Sequence, residues 1–178
     1  MGVNILPALK PRTLLVTIAP HAGREHASHL LADLALLGPV TVLDSGNRLQ
    51  PYQIAHLLRR KTVQIAEAVE RISIRRAFTC YQTFALLESA EAQPYPYLLH
   101  DLLHSFYDEQ VSDREARRLV GLCLREIRRL NGQAPLGILL APPMVDERAF
   151  LVEMVCDQAD EIYTPLLPAD PAIQERLF

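Results

Sequence analysis

The sequence predicts a single α/β domain in which a mostly parallel sheet is flanked by helices. Three observations point to it. Short apolar runs bounded by turn residues alternate with helical patterns, as in successive βαβ units. The runs at Leu14–Ile18, 97–103 and 136–141 are almost wholly apolar, as expected of strands covered on both faces. A chain of 178 residues, 49% hydrophobic and 22% charged, is long enough for one sizeable core.

Each element has a local reason. Leu14–Ile18 reads as a buried strand and 27–37 as a helix packed on the sheet, with the loop Ala19-Pro-His-Ala-Gly-Arg-Glu-His26 between them. Gly38-Pro39 breaks the chain, and 40–43 forms a second strand that ends at Asp44 and turns through Ser45-Gly46-Asn47. Pro51 suits the first turn of a helix carrying Ile54, Ala55, Leu57 and Leu58, and Arg59-Arg60-Lys61 complements the dipole at its end. A helix over 63–72 is expected to lead into a strand at 76–80, and a further helix to cover 83–91. Pro94 and Pro96 precede the strand at 97–103, which should be central, with Asp101 near its end.

Ser112 followed by Glu115 is a capping box that starts the longest helix, running to about Leu130 before Asn131-Gly132. At about 100° per residue, Ala116, Leu119, Val120, Cys123, Leu124, Ile127 and Leu130 share one side. Arg114, Arg117, Arg118, Arg125, Arg128 and Arg129 crowd into an arc of about 120° on the other. A strand at 136–141 stops at Pro142-Pro143, a helix is expected over 146–156, and Glu161–Tyr163 closes the set. The tail from 164 to 178 holds three prolines and is expected to be an arm or poorly ordered.

Bulk properties exclude several functions. A net charge of −3 and a pI near 6.1 argue against a globally basic protein that coats nucleic acid, so any such site must be local. No apolar run reaches the roughly 18 residues of a membrane span, and residues 1–11 lack a signal peptide's pattern; a soluble cytoplasmic protein with no membrane partner is expected. Cys80, Cys123 and Cys156 are three cysteines without CxxC spacing, which predicts buried thiols and no disulfide framework or zinc site. His21, His26, His29, His100 and His104, with Asp44 and Asp101 at neighbouring strand ends of the expected sheet, raise the question of a metal. No spacing among them makes ligands converge, and no HExxH is present. Ser45, Ser105 and Cys80 form no nucleophile elbow or triad.

Taken in order, 42–54, 75–82, 97–106 and 159–163 resemble successive strands and helix entries of the ATPase core of the RecA/RadA recombinase superfamily, over about residues 12–166. The resemblance implies a RecA-like P-loop topology for the domain, with a short N-terminal extension and a C-terminal tail. In that family a GxxxxGK[ST] loop cradles the phosphates of ATP with Mg²⁺. Here Ile18 stands for the first glycine, Gly23 for the second, Arg24 for the lysine and Glu25 for the hydroxyl residue. Glu25 would repel a triphosphate at close range. Asp101 matches the Walker B aspartate that assists Mg²⁺, whereas Gly46 stands where an acidic residue would polarise water.

The resemblance therefore implies a degenerate Walker A loop and a pseudo-ATPase, with no cofactor required. Its role would be that of an accessory module in recombination or repair. Its partner would be a protein, either an active RecA-like relative, another repair factor or a second copy, with at most weak DNA contacts. Residues 1–10 are too short for the family's extra polymerisation domain and 141–147 short for a DNA loop. A second reading is an atypical ATPase that binds ATP or ADP through Arg24 and Mg²⁺ through Asp101; a third is a purely structural interaction module. The candidate anion-binding residues are His21, Gly23 and Arg24, against a loop that merely connects strand to helix. Asp101 is the candidate metal ligand. The six arginines are a candidate face for nucleic acid or an acidic partner, against an ordinary solvated surface.

Overall fold

Apolar residues at successive positions of one strand must be buried on both of its sides, and the computed structural model, which describes residues 9–143 and 146–164, meets that demand with a three-layer α/β/α arrangement. The strands are β1 (Leu14–Ile18), β2 (Val40–Asp44), β3 (Ile72–Arg76), β4 (Tyr97–His100), β5 (Leu136–Leu140) and β6 (Glu161–Tyr163). The helices are α1 (Arg24–Leu37), α2 (Pro51–Arg59), α3 (Ile65–Glu70), α4 (Cys80–Ser89), α5 (Asp113–Asn131) and α6 (Ala149–Cys156). The sheet runs β3-β2-β4-β5-β1-β6 and every pairing is parallel.

This order fixes the layers. The chain steps from β1 through β2 to the β3 edge, then returns through β4 and β5 to β6. Right-handed crossovers place the helices of the outward leg on one face and those of the return leg on the other. Accordingly Leu15, Val42, Leu98 and Leu139 pack under α1, α2 and α3. Val16, Leu43, Leu99 and Ile138, one residue on or back, pack under α4, α5 and α6.

The strand expected at 76–80 lies instead at Ile72–Arg76. Ile72 and Ile74 align with Val40 and Val42, and the preceding helix ends at Glu70, earlier than its apolar pattern indicated. Thr79 then leaves the sheet to cap α4, its hydroxyl accepting from the Gln82 amide at 3.2 Å, so that helix begins three residues before the expected 83. The strand expected over 97–103 ends at His100 because the backbone turns at Asp101, whose φ is +53°. The last helix starts with a 3-10 turn, Asp146–Arg148, before α6. Most of the expected tail, and residues 1–8 of the N-terminal extension, lie outside the described residues. Among the described residues no helix is long and apolar enough to cross a membrane.

In α5 the Ser112 hydroxyl accepts from the Glu115 amide at 3.3 Å, and the seven apolar residues named above are buried. Gly121 sits mid-helix, and a Cβ built there meets no atom within 4 Å. Replacing it by alanine removes backbone entropy from the unfolded chain without a clash, so Gly121→Ala is expected to stabilise the protein by about 0.5–1 kcal/mol in chemical denaturation.

Candidate functional site

Parallel sheets of this kind bind ligands beyond the carboxyl ends of their strands, where neighbouring strands send their connections in opposite directions. Here that occurs between β2 and β4 and again between β5 and β1. The register draws one row across the carboxyl edge: Arg76, Asp44, His100, Leu139, Thr17 and Tyr163, each aligned with the next. Asp44 and His100 are fully buried in this row, and Asp101 follows immediately at 1% exposure.

Asp44 is the organising carboxylate. Its Oδ1 lies 3.1 Å from His100 Nδ1 and accepts from the Arg48 amide at 3.3 Å, while Oδ2 accepts from the Leu49 amide at 3.1 Å. The Arg76 Nε is 3.7 Å from Oδ2. Burial alone would push this carboxyl up. The His100 hydrogen bond and charge, with the two amides, outweigh it and hold Asp44 below the usual carboxylate range. One side chain therefore closes the β2–α2 loop and orients the imidazole, whose Nε2 is buried without a hydrogen-bond partner among the described residues.

Asp101 occupies a left-handed conformation that a non-glycine residue adopts at a cost of order 1 kcal/mol. Its amide donates to the Leu139 carbonyl at 2.8 Å, and its side chain lies flat against Gly46. A Cβ on Gly46 would come within 2.5 Å of Asp101 Oδ2 and 2.7 Å of its Cβ. The carboxylate also faces two cationic or basic groups, Arg48 Nε at 3.7 Å and His104 Nδ1 at 3.8 Å, but Oδ2 makes no hydrogen bond among the described residues. Burial and the Asp101 charge push the nearby Tyr107 hydroxyl up to about 12, so it stays protonated at any physiological pH. The loop that carries these groups is pinned from below by Arg148, whose guanidinium donates to the carbonyls of Phe106, Asp108 and Val111 and to Asp113 Oδ1.

The loop after β1 approaches the same edge. His21, Ala22 and Gly23 all have left-handed backbones, with φ of 53°, 51° and 58°, and α1 starts at Arg24. A Cβ on Gly23 would lie 3.6 Å from Leu139 Cδ2, the residue whose carbonyl receives the Asp101 amide. Gly23 and Asp101 thus flank β5 at one end of the sheet. His21 is exposed and Arg24 half-buried. Glu25 lines an open groove of about 450 Å³ between α1 and α2, together with Ser28, His29, Tyr52, Gln53, His56 and Leu57.

The arginines are elsewhere. All six are exposed on α5, which covers the opposite face of the sheet from α1. Arg118 binds Glu115 through two hydrogen bonds of 2.8 and 2.7 Å, and Arg117 stacks on the Phe150 ring at 4.2 Å. Arg129 pairs with Glu126 and donates to the Leu87 and Ala90 carbonyls, capping the end of α4. Among the described residues no three His, Cys, Asp or Glu side chains gather as a metal-ligand set. Burial pushes the thiols of Cys80 and Cys156 up and that of Cys123 to about 12, which keeps them poor nucleophiles at neutral pH.

Sequence reasoning grouped Asp44 and His100 only as possible metal ligands and did not pair the carboxylate with the imidazole. Both end buried strands, and their pairing depends on β4 lying beside β2, which no local signal fixes. Arg48, Arg76 and Arg148 were not singled out, because their partners are backbone groups or residues distant in the chain, and nothing local marks Tyr107. No protein-family model matches the chain, and no curated protein matches it at a significant level.

Proposed function

We propose that the protein is a RecA-like accessory module that works through protein contacts and does not hydrolyse ATP. The observation that carries this reading is the contact between Gly46 and Asp101. By the resemblance, position 46 is where an acidic residue would activate water, and the packed Asp101 side chain leaves no room there even for a methyl group. Asp101 itself, the counterpart of the Mg²⁺-assisting aspartate, already has the Arg48 guanidinium beside it. The shared edge of Gly23 and Asp101 on either side of β5, and Glu25 in the first turn of α1, further support a nucleotide-handling scaffold whose phosphate cradle has been chemically altered. A role in recombination or repair, with an active relative or a second copy as partner, follows from the resemblance.

The test is titration calorimetry with ATP and Mg²⁺ followed by a phosphate-release assay. Neither binding in the micromolar range nor turnover above the buffer blank is expected. Micromolar binding with turnover, abolished by Arg24→Ala and by Asp101→Asn, would instead establish an atypical ATPase.

A further inference from the structure

We propose that the exposed face of α5 is the docking site for an acidic α-helix of a partner protein. Arg114, Arg118, Gly121, Arg125 and Arg128 succeed one another at intervals of four, three, four and three residues. That alternation keeps the five positions in one row along the exposed face of the helix, a ridge and groove on which a second helix can lie. From Arg114 to Arg128 the stripe is about 21 Å long, enough for about four turns of a partner.

The charges on this stripe are not balanced from within. Arg118 is held by Glu115, but Arg114, Arg125 and Arg128 have no carboxylate within ion-pair distance among the described residues. Arg125 and Arg128, one turn apart, repel each other, and facing carboxylates would relieve that repulsion. Gly121 lies near the centre of the arginine arc with open space around it, so nothing among the described residues requires a glycine there. Its use costs the helix stability relative to alanine, and in return it leaves a trough where a partner's backbone can come close.

A helix fits better than nucleic acid. The open space over Gly121 admits the close approach of a second helix's backbone, which a phosphate chain does not need. Among the described residues no helix of this chain carries a matching acidic stripe, which points to a different protein as the occupant. The inference does not depend on the chemistry of the carboxyl edge, and no nucleotide enters its test.

Fluorescence anisotropy with the full chain provides that test, using three labelled probes. One is an alanine-based helical peptide of about 21 residues with glutamates at the same four-three spacing. The second has the same composition with the glutamates spread around the helix, and the third is a DNA duplex of similar length. At about 50 mM salt, the striped peptide is expected to bind at least about tenfold more tightly than either of the others. Gly121→Trp, which fills the trough, and separately Arg125→Glu with Arg128→Glu, should each weaken it about tenfold or more while the far-ultraviolet circular dichroism stays unchanged. Equal binding of the two peptides, tighter binding of the DNA, or indifference to both variants would overturn the proposal.

Discussion

Gly46→Ala is expected to cost about 3 kcal/mol, lowering the melting temperature by about 6–12 °C for a chain of this size. The added methyl would sit 2.5 Å from Asp101 Oδ2 and 2.7 Å from Asp101 Cβ, closer than carbon and oxygen atoms tolerate. Neither partner can step aside easily. Asp101 is 1% exposed, its amide is tied to the Leu139 carbonyl, and its loop is held by Arg148. Gly46 follows two residues after Asp44, whose carboxylate grips the amides of Arg48 and Leu49. The cause can be isolated with Asp101→Gly. That substitution clears the space and suits the left-handed backbone, and the Arg48 guanidinium it releases is already part-exposed. The double variant Gly46→Ala/Asp101→Gly should therefore recover most of the loss, with a coupling of more than about 1 kcal/mol in a double-mutant cycle. A Gly46→Ala protein within about 0.5 kcal/mol of the parent in denaturant titration would show that the two residues do not pack as described, and would remove the main support for a non-hydrolysing site.

The sheet was largely legible because its determinants are local. β1, β2, β5 and β6 begin and end within a residue of where the apolar runs and turn residues put them, and Ser112 starts α5 through the expected bond to the Glu115 amide. The failures share a cause. Residues 72–80 contain two half-apolar stretches, Ile72 to Ile74 and Ala77 to Cys80, and either could pair as a strand. The choice falls to the first because Ile72 and Ile74 match Val40 and Val42, a long-range fact, while the second is claimed by the Thr79 cap. The site follows the same division. That Asp44 and Asp101 lie at strand ends could be read from the chain. That Asp44 meets His100, that Asp101 fills the space over Gly46, and that Arg148 reaches back over thirty-seven residues to Val111 could not, since each depends on strand order or loop closure.

Asp44→Ala should be at least as damaging, at about 3–5 kcal/mol, because it leaves the buried His100 Nδ1 and Leu49 amide without their acceptor. The charge itself has a separate signature. The native carboxyl titrates below its ordinary range, so the unfolded chain takes up this proton at higher pH than the folded one. The resulting stability is complete above the unfolded value near 3.9 and is lost as the pH falls through the lower native value. Asp44→Asn keeps an acceptor for the Leu49 amide but abolishes this titration. Its stability, lower at neutral pH, should therefore decline less steeply than that of the parent between about pH 5 and about pH 3. Urea titrations at intervals across that window read the difference directly. Parallel curves for the two proteins would mean that the folded structure does not favour the Asp44 carboxylate, and the buried Asp44–His100 pair would then lose its place as the organiser of the carboxyl edge.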